Sequence, residues 1–229
     1  MAGAALNVLA VLAVLTVLAL AALTAYAAYR ARVASFADQR RLVPLALRMT
    51  ILKKLYDTVA EAASLSSTRP FLIYGTLLGY VRERSLICYD YDVDFGIDQA
   101  GIGAFTESLR TLVEPGYRLR VYNSRFNLKV ALVHAETKLA VDVFAFETSA
   151  ETGHVKRARV PAFVLKHFMG ESEPSYPSGV VFPLQRATFL GRQCWLPANA
   201  SRMLASVYGP EYMRPDRVCD HRCESCERC

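Results

Sequence analysis

Residues Asp90-Tyr91-Asp92-Val93-Asp94 set three carboxylates at alternate positions inside an apolar stretch that otherwise reads as a β-strand. Successive strand side chains point to opposite faces. The spacing therefore predicts Asp90, Asp92 and Asp94 on one face, with Tyr91, Val93 and Phe95 on the other. Like charges about 6–7 Å apart repel one another unless something positive lies between them. A hard divalent cation that prefers oxygen ligands, Mg²⁺ or Mn²⁺, suits such a set. A solvated edge or an acidic turn is the plain alternative for these residues taken alone.

Upstream, the apolar run Phe71-Leu72-Ile73-Tyr74 reaches Gly75-Thr76, and a helical pattern then leads to Arg82. A strand, a small-residue turn and a helix N-terminus present backbone N–H groups that suit a phosphate, and Thr76 is the expected helix cap. A glycine at a strand end more often makes only a turn. The Gly-Thr turn followed about fifteen residues later by Asp-x-Asp is more telling. It pairs a phosphate cradle with a metal site, as phosphoryl-type transfer requires. Downstream, Leu139 to Phe146 reads as a buried strand with a single acid, Asp142, which is costly there without a counter-charge. A nearby Lys or Arg is the plain source of that charge. Arg82, with its planar fork, and Lys129 are the cations expected near a donor's phosphates. The plain readings are a solvated helix residue and a solvated strand residue. His134, Lys166 and His167 read as surface residues.

The segment Tyr74 to Arg82, then Leu86-Ile87, then Asp90 to Asp94, resembles the signature of the LicD/fukutin-related phosphotransferases. A second stretch, Val181 through Leu190-Gly191 and Leu196-Pro197 to Tyr208-Gly209, resembles that family's C-terminal element, so the likeness spans roughly Pro44 to Pro215. Cys88-Tyr89 and Tyr91 depart from the family pattern beside the acids, which bears on the substrate more than on metal binding. The resemblance implies the nucleotidyltransferase (DNA polymerase β-like) fold. Asp92, Asp94 and Asp142 then become catalytic metal ligands for Mg²⁺ or Mn²⁺, with Asp90 either a further ligand or a support to them. Gly75, Thr76, Arg82 and Lys129 become the substrate-binding set. The implied reaction moves a phospho-alcohol unit from a CDP-alcohol, of the CDP-ribitol or CDP-choline type, to a glycan hydroxyl with release of CMP. The alternatives are transfer of the nucleotide itself, or a non-catalytic protein that binds a glycan or partner. A partner subunit is a further possibility for recognising the acceptor.

Helical patterns over Leu42–Ala63 and Ile102–Leu112 alternate with strand patterns over Tyr117–Tyr122, Lys129–Val133 and Leu139–Phe146, the last three joined by short connections. These predict a mixed α/β fold, a mixed sheet flanked by helices, with antiparallel pairing in that region. Residues 171–179, with two prolines among serines and glycine, read as a surface loop. The net charge of +6 is spread along the chain, without the concentrated basic stripe of a nucleic-acid binder.

The two ends differ from the middle. Residues 1–29 are an expected membrane anchor, because Ala2 to Tyr29 carries no charged side chain and about 20 apolar residues suffice to span a bilayer. Ala25-Tyr26-Ala27 also resembles a cleavage site. Residues 30–43 would be a stem, 44–215 the catalytic domain and 216–229 a cysteine-rich tail. The family resemblance implies a type II protein of the Golgi or endoplasmic reticulum with a luminal domain, and the Asn199-Ala200-Ser201 sequon agrees with it. Arg30, Arg32, Arg40 and Arg41 favour the opposite orientation. Cys219, Cys223, Cys226 and Cys229 are expected to form disulfides in a lumen; metal binding or acylation is the alternative.

Overall fold

The computed structural model describes residues 42–125, 127–160 and 175–215, together with residues 14–17, 20, 21, 24, 26 and 40. The chain divides into two compact units, Met1–Leu42 and Val43–Cys229. The expected transmembrane helix over residues 1–29 is corrected: among the described residues no helix is long and apolar enough to cross a membrane. Most of that segment, like the tail cysteines and the pair Lys166 and His167, lies outside the described residues.

The second unit opens with helix α1 (Leu45–Ser66), whose buried face carries Ile51, Leu52, Leu55, Tyr56, Val59 and Ala62 at helical spacing. The predicted start at Leu42 is three residues early. Pro44 is the N-cap, and its extended backbone (ψ 142°) keeps residues before it out of the helix. The helix ends at Ser67, in the left-handed region at φ 52°. Strand β1 (Phe71–Leu72), helix α2 (Tyr74–Arg82), strand β2 (Asp92–Asp98) and helix α3 (Ile102–Thr111) follow. Next come β3 (Tyr117–Ser124), β4 (Asn127–His134), β5 (Ala140–Thr148), β6 (His154–Arg157) and β7 (Ser175–Pro177). The short helix α4 (Ser178–Val181), the hairpin β8 (Gln185–Phe189) and β9 (Arg192–Leu196), and helix α5 (Ala200–Tyr208) complete the described order.

The described strands form one mixed sheet in the order β3-β4-β5-β2-β1-β9-β8, with β6 on β5 and β7 on β6. The expected meander is present: β3 pairs antiparallel with β4, and β4 with β5. β2 lies parallel to β5. Val93, Phe95 and Ile97 of β2 are buried on the sheet's α1 side, where Tyr56 stacks on Phe95 at 5.7 Å between ring centroids. α1 and α3 pack against each other, and α1 also meets β2, β5 and β9. The expected loop over residues 171–179 is corrected in its described portion. Ser175–Pro177 pairs antiparallel with β6, Tyr176 is buried, and Pro177 takes the strand's last position, where its missing N–H costs little.

The opposite face of β2 carries Asp92, Asp94 and Gly96. Gly96 stands directly across from Phe71, and a Cβ built on it would lie 2.5 Å and 2.7 Å from atoms of the Phe71 ring and 3.0 Å from Phe146. Phe71 also packs on Phe146 at 5.5 Å and on Phe182 at 6.3 Å, so an aromatic layer fills the space beside the acids. Gly96→Ala is expected to destabilise the protein by about 1–3 kcal/mol through overpacking. Thermal denaturation would show this as a fall of about 2–10 °C in midpoint, and an unchanged midpoint would show that the rings have room to move.

Candidate metal and phosphate site

The carboxylates meet because β2 and β5 run parallel in a register that sets Asp94 beside Asp142. Side chains at matched positions of neighbouring strands share a face, so Asp92, Asp94 and Asp142 converge. One ligand oxygen from each lies within 4.8 Å of the others. Asp90 is not in this group. Strand β2 begins only at Asp92, and the residues before it form a turn.

Asp94 is fixed through both of its backbone groups. β1 ends after two residues, and beyond it Ile73 N–H donates to the Asp94 carbonyl at 3.3 Å. Thr76 Oγ1 accepts from Asp94 N–H at 2.8 Å. A buried N–H left without a partner would be costly, so the Thr76 hydroxyl completes the ladder. This corrects the expectation that Thr76 caps the helix: α2 begins at Tyr74, its N-cap is Ile73, and no side chain caps it. Tyr74 turns the chain from strand to helix in the left-handed region, at φ 47°.

Asp90 packs against the first turn of α2. Its Oδ1 accepts from Tyr91 N–H at 3.0 Å, and a Cβ on Gly75 would collide with its Oδ2. Gly75 therefore serves a close approach: its bare Cα admits a carboxylate at the positive end of the helix. Arg48 holds the same turn from the other side. Buried on the inner face of α1, it donates to the carbonyls of Cys88 (3.0 Å) and Val43 (3.1 Å), with its guanidinium 4.8 Å above the Tyr91 ring. Asp90→Asn is expected to retain the rise in thermal midpoint that Mn²⁺ produces, whereas Asp92→Asn diminishes it. Equal loss in both variants would place Asp90 among the ligands.

Electrostatically the cluster crowds like charges together. Burial first, then the charges of Asp92, Asp142 and Asp90, hold the Asp94 carboxyl well above the ordinary carboxylate range, with Lys129 acting the other way. Lys129 Nζ lies 2.9 Å from Asp142 Oδ2, and both side chains are about four-fifths buried, at 18% and 19% exposure. It also sits 5.2 Å over the Tyr122 ring and 5.1 Å over Phe144. Phe144 bears a second cation, Arg157, at 4.2 Å. The donor set fits a hard divalent ion: three carboxylates, all oxygen, mutually close, with one disfavoured as an anion until more positive charge arrives.

Of the residues named from the sequence, the structure brings together Asp92, Asp94, Asp142 and Lys129, with Thr76 bonded to the strand beneath. Arg82 stands apart from the acids. Its Nε donates to Glu83 at 2.9 Å and its Nη2 to Tyr89 Oη at 3.3 Å, and its side chain is 8% exposed. Sequence reasoning gave no role to Arg48 or Tyr208. Arg48 had a signal, a charged residue in register with the apolar stripe of α1. Tyr208 lay in the stretch that resembles the family's C-terminal element, and it comes close because α5 packs on α2. Burial first, then the charges of Asp94, Asp90 and Asp92, push its phenol well above the usual range. α5 itself is capped by Asn199 of the sequon, whose Oδ1 accepts from Arg202 N–H at 2.9 Å.

Comparison with curated proteins finds no match. Among solved structures the chain is similar to the antibiotic-resistance factor ANT(2'')-Ia, with 13% identity and a TM-score of 0.42 over 66% of this chain and 69% of that one. A likeness so loose carries no argument. The model of the LicD/FKTN/FKRP nucleotidyltransferase domain matches residues 67–199, a span from just before β1 to the cap of α5 that contains every carboxylate of the cluster. The chain belongs to the LicD/FKTN/FKRP family.

Proposed function

We propose that this chain is a divalent-metal-dependent phosphotransferase that moves a phospho-alcohol unit from a CDP-alcohol to a glycan hydroxyl, releasing CMP. The observation that carries the reading is the Asp92–Asp94–Asp142 cluster, placed by the register of β2 on β5. Asp92, Asp94 and Asp142 would hold Mg²⁺ or Mn²⁺, which when bound neutralises phosphate oxygens. Asp142 would accept the proton of the acceptor hydroxyl. The hydroxyl oxygen forms a bond to the phosphorus bearing the alcohol, and the bond from that phosphorus to CMP breaks, so CMP leaves with the electron pair. Lys129, held by Asp142 and two aromatic rings, keeps a positive charge at the place where phosphate charge would gather.

Mass analysis of a glycan acceptor incubated with CDP-ribitol or CDP-choline tests the reading. The expected product gains the phospho-alcohol mass and appears with CMP. A product that gains a nucleoside monophosphate instead would establish the nucleotide-transfer chemistry, and no product from any CDP-alcohol would overturn the proposal.

A further inference from the structure

A cavity of about 570 Å³ is lined by Gly75, by Asp90 two residues before the strand that carries Asp92 and Asp94, and by Arg82, Tyr89, Tyr208 and Tyr212. Its volume falls in the range of small-molecule sites. Three of its walls are tyrosines, which offer flat apolar faces with a hydroxyl at the rim. Arg82, anchored to Glu83 and Tyr89, sets a guanidinium in a wall that also carries Arg214 and Glu211. Tyr208 is 44% exposed and Tyr212 packs against the hydrophobic core, so the outer wall is partly preformed.

We propose that this cavity receives the nucleoside portion of the donor, with Tyr208 and Tyr212 as the residues that hold its base. The inference rests on the proposed phosphotransferase reading and deepens it by assigning the donor's recognition to the end of α5 and the residues just after it. Stacking on an aromatic side chain is worth about 1–3 kcal/mol per base, so each tyrosine carries about a tenfold share of nucleotide affinity. Neither residue belongs to the carboxylate cluster, so neither supplies a ligand to the divalent ion.

Calorimetric titration of CMP and CDP into the full chain in the presence of Mn²⁺, with Tyr208→Ala, Tyr212→Ala and Tyr208→Phe compared, tests this directly. Both alanine variants are expected to bind about tenfold more weakly or worse, with the Mn²⁺-induced rise in thermal midpoint kept, while Tyr208→Phe keeps its ring and most of the affinity. Nucleotide binding unchanged in both alanine variants would overturn the cavity assignment and leave the phosphotransferase reading standing. No nucleotide binding by the unmodified protein would overturn both. Should Tyr212→Ala lose its fold, the more exposed Tyr208→Ala decides alone.

Discussion

Replacing Asp94 by asparagine is expected to abolish turnover and, at the same time, to raise the thermal midpoint of the metal-free protein. Loss of one ligand from the cluster removes charge stabilisation at the reacting phosphate, for which a fall of about 10³-fold or more is the expected scale. The stability effect has the opposite sign because, without a metal ion, Asp94 is buried beside other carboxylates. Asp94 is pushed well above the ordinary carboxylate range, first by burial and then by its acidic neighbours. The folded state therefore holds the proton more tightly than the unfolded chain does. At pH values above its folded range, keeping Asp94 ionised costs stability. The cost is relieved as pH falls through that range, and no further gain comes below the ordinary carboxylate value. The difference in midpoint between Asp94→Asn and the parent, both metal-free, should thus be largest near neutrality and shrink on acidification. A variant that keeps turnover, or a midpoint difference that grows toward acid, would contradict this arrangement.

Lys129→Met is expected to destabilise the metal-free protein while increasing the stabilisation that a divalent ion provides. Lys129 Nζ is 2.9 Å from Asp142, with both side chains about four-fifths buried. Removing one partner of such a pair leaves a poorly solvated charge, at a cost of about 1–3 kcal/mol. A bound ion at one hundred times its dissociation constant adds about 2.7 kcal/mol to stability. In the parent protein the ion must compete with Lys129 for Asp142; in the variant it does not. The Mn²⁺-induced rise in midpoint should therefore be larger in Lys129→Met than in the parent. Equal rises would mean that Asp142 stays with Lys129 and that the ion rests on Asp92 and Asp94. Turnover is expected to fall in the variant, since the charge near the transferring phosphate is lost.

The cluster was legible because two local patterns carried it: alternation put Asp92 and Asp94 on one face, and a lone acid in an apolar strand marked Asp142. Periodicity was silent on the parallel β2–β5 register that joins them, since it depends on residues about fifty apart in the chain. The same alternation misled at Asp90. It predicts a strand through residue 90, but Gly75 opens a space for that carboxylate and Arg48 holds the Cys88–Tyr91 turn, so the strand begins two residues later. Thr76 shows the same competition. By itself it is a good helix cap, yet the shortness of β1 leaves the Asp94 N–H in need of an acceptor, and that bond wins. Arg82 matched the motif, but its neighbours Glu83 and Tyr89 fix where it points.

Release of CMP from CDP-ribitol and CDP-choline, followed with Mg²⁺, with Mn²⁺ and with a chelator in the parent protein and in Asp92→Asn, decides whether the carboxylate cluster works through a metal ion. Release is expected to depend on the divalent ion, to stop with the chelator and to be absent in the variant. Release that persists in the chelator, or in folded Asp92→Asn protein, would contradict a metal-dependent reaction at Asp92, Asp94 and Asp142.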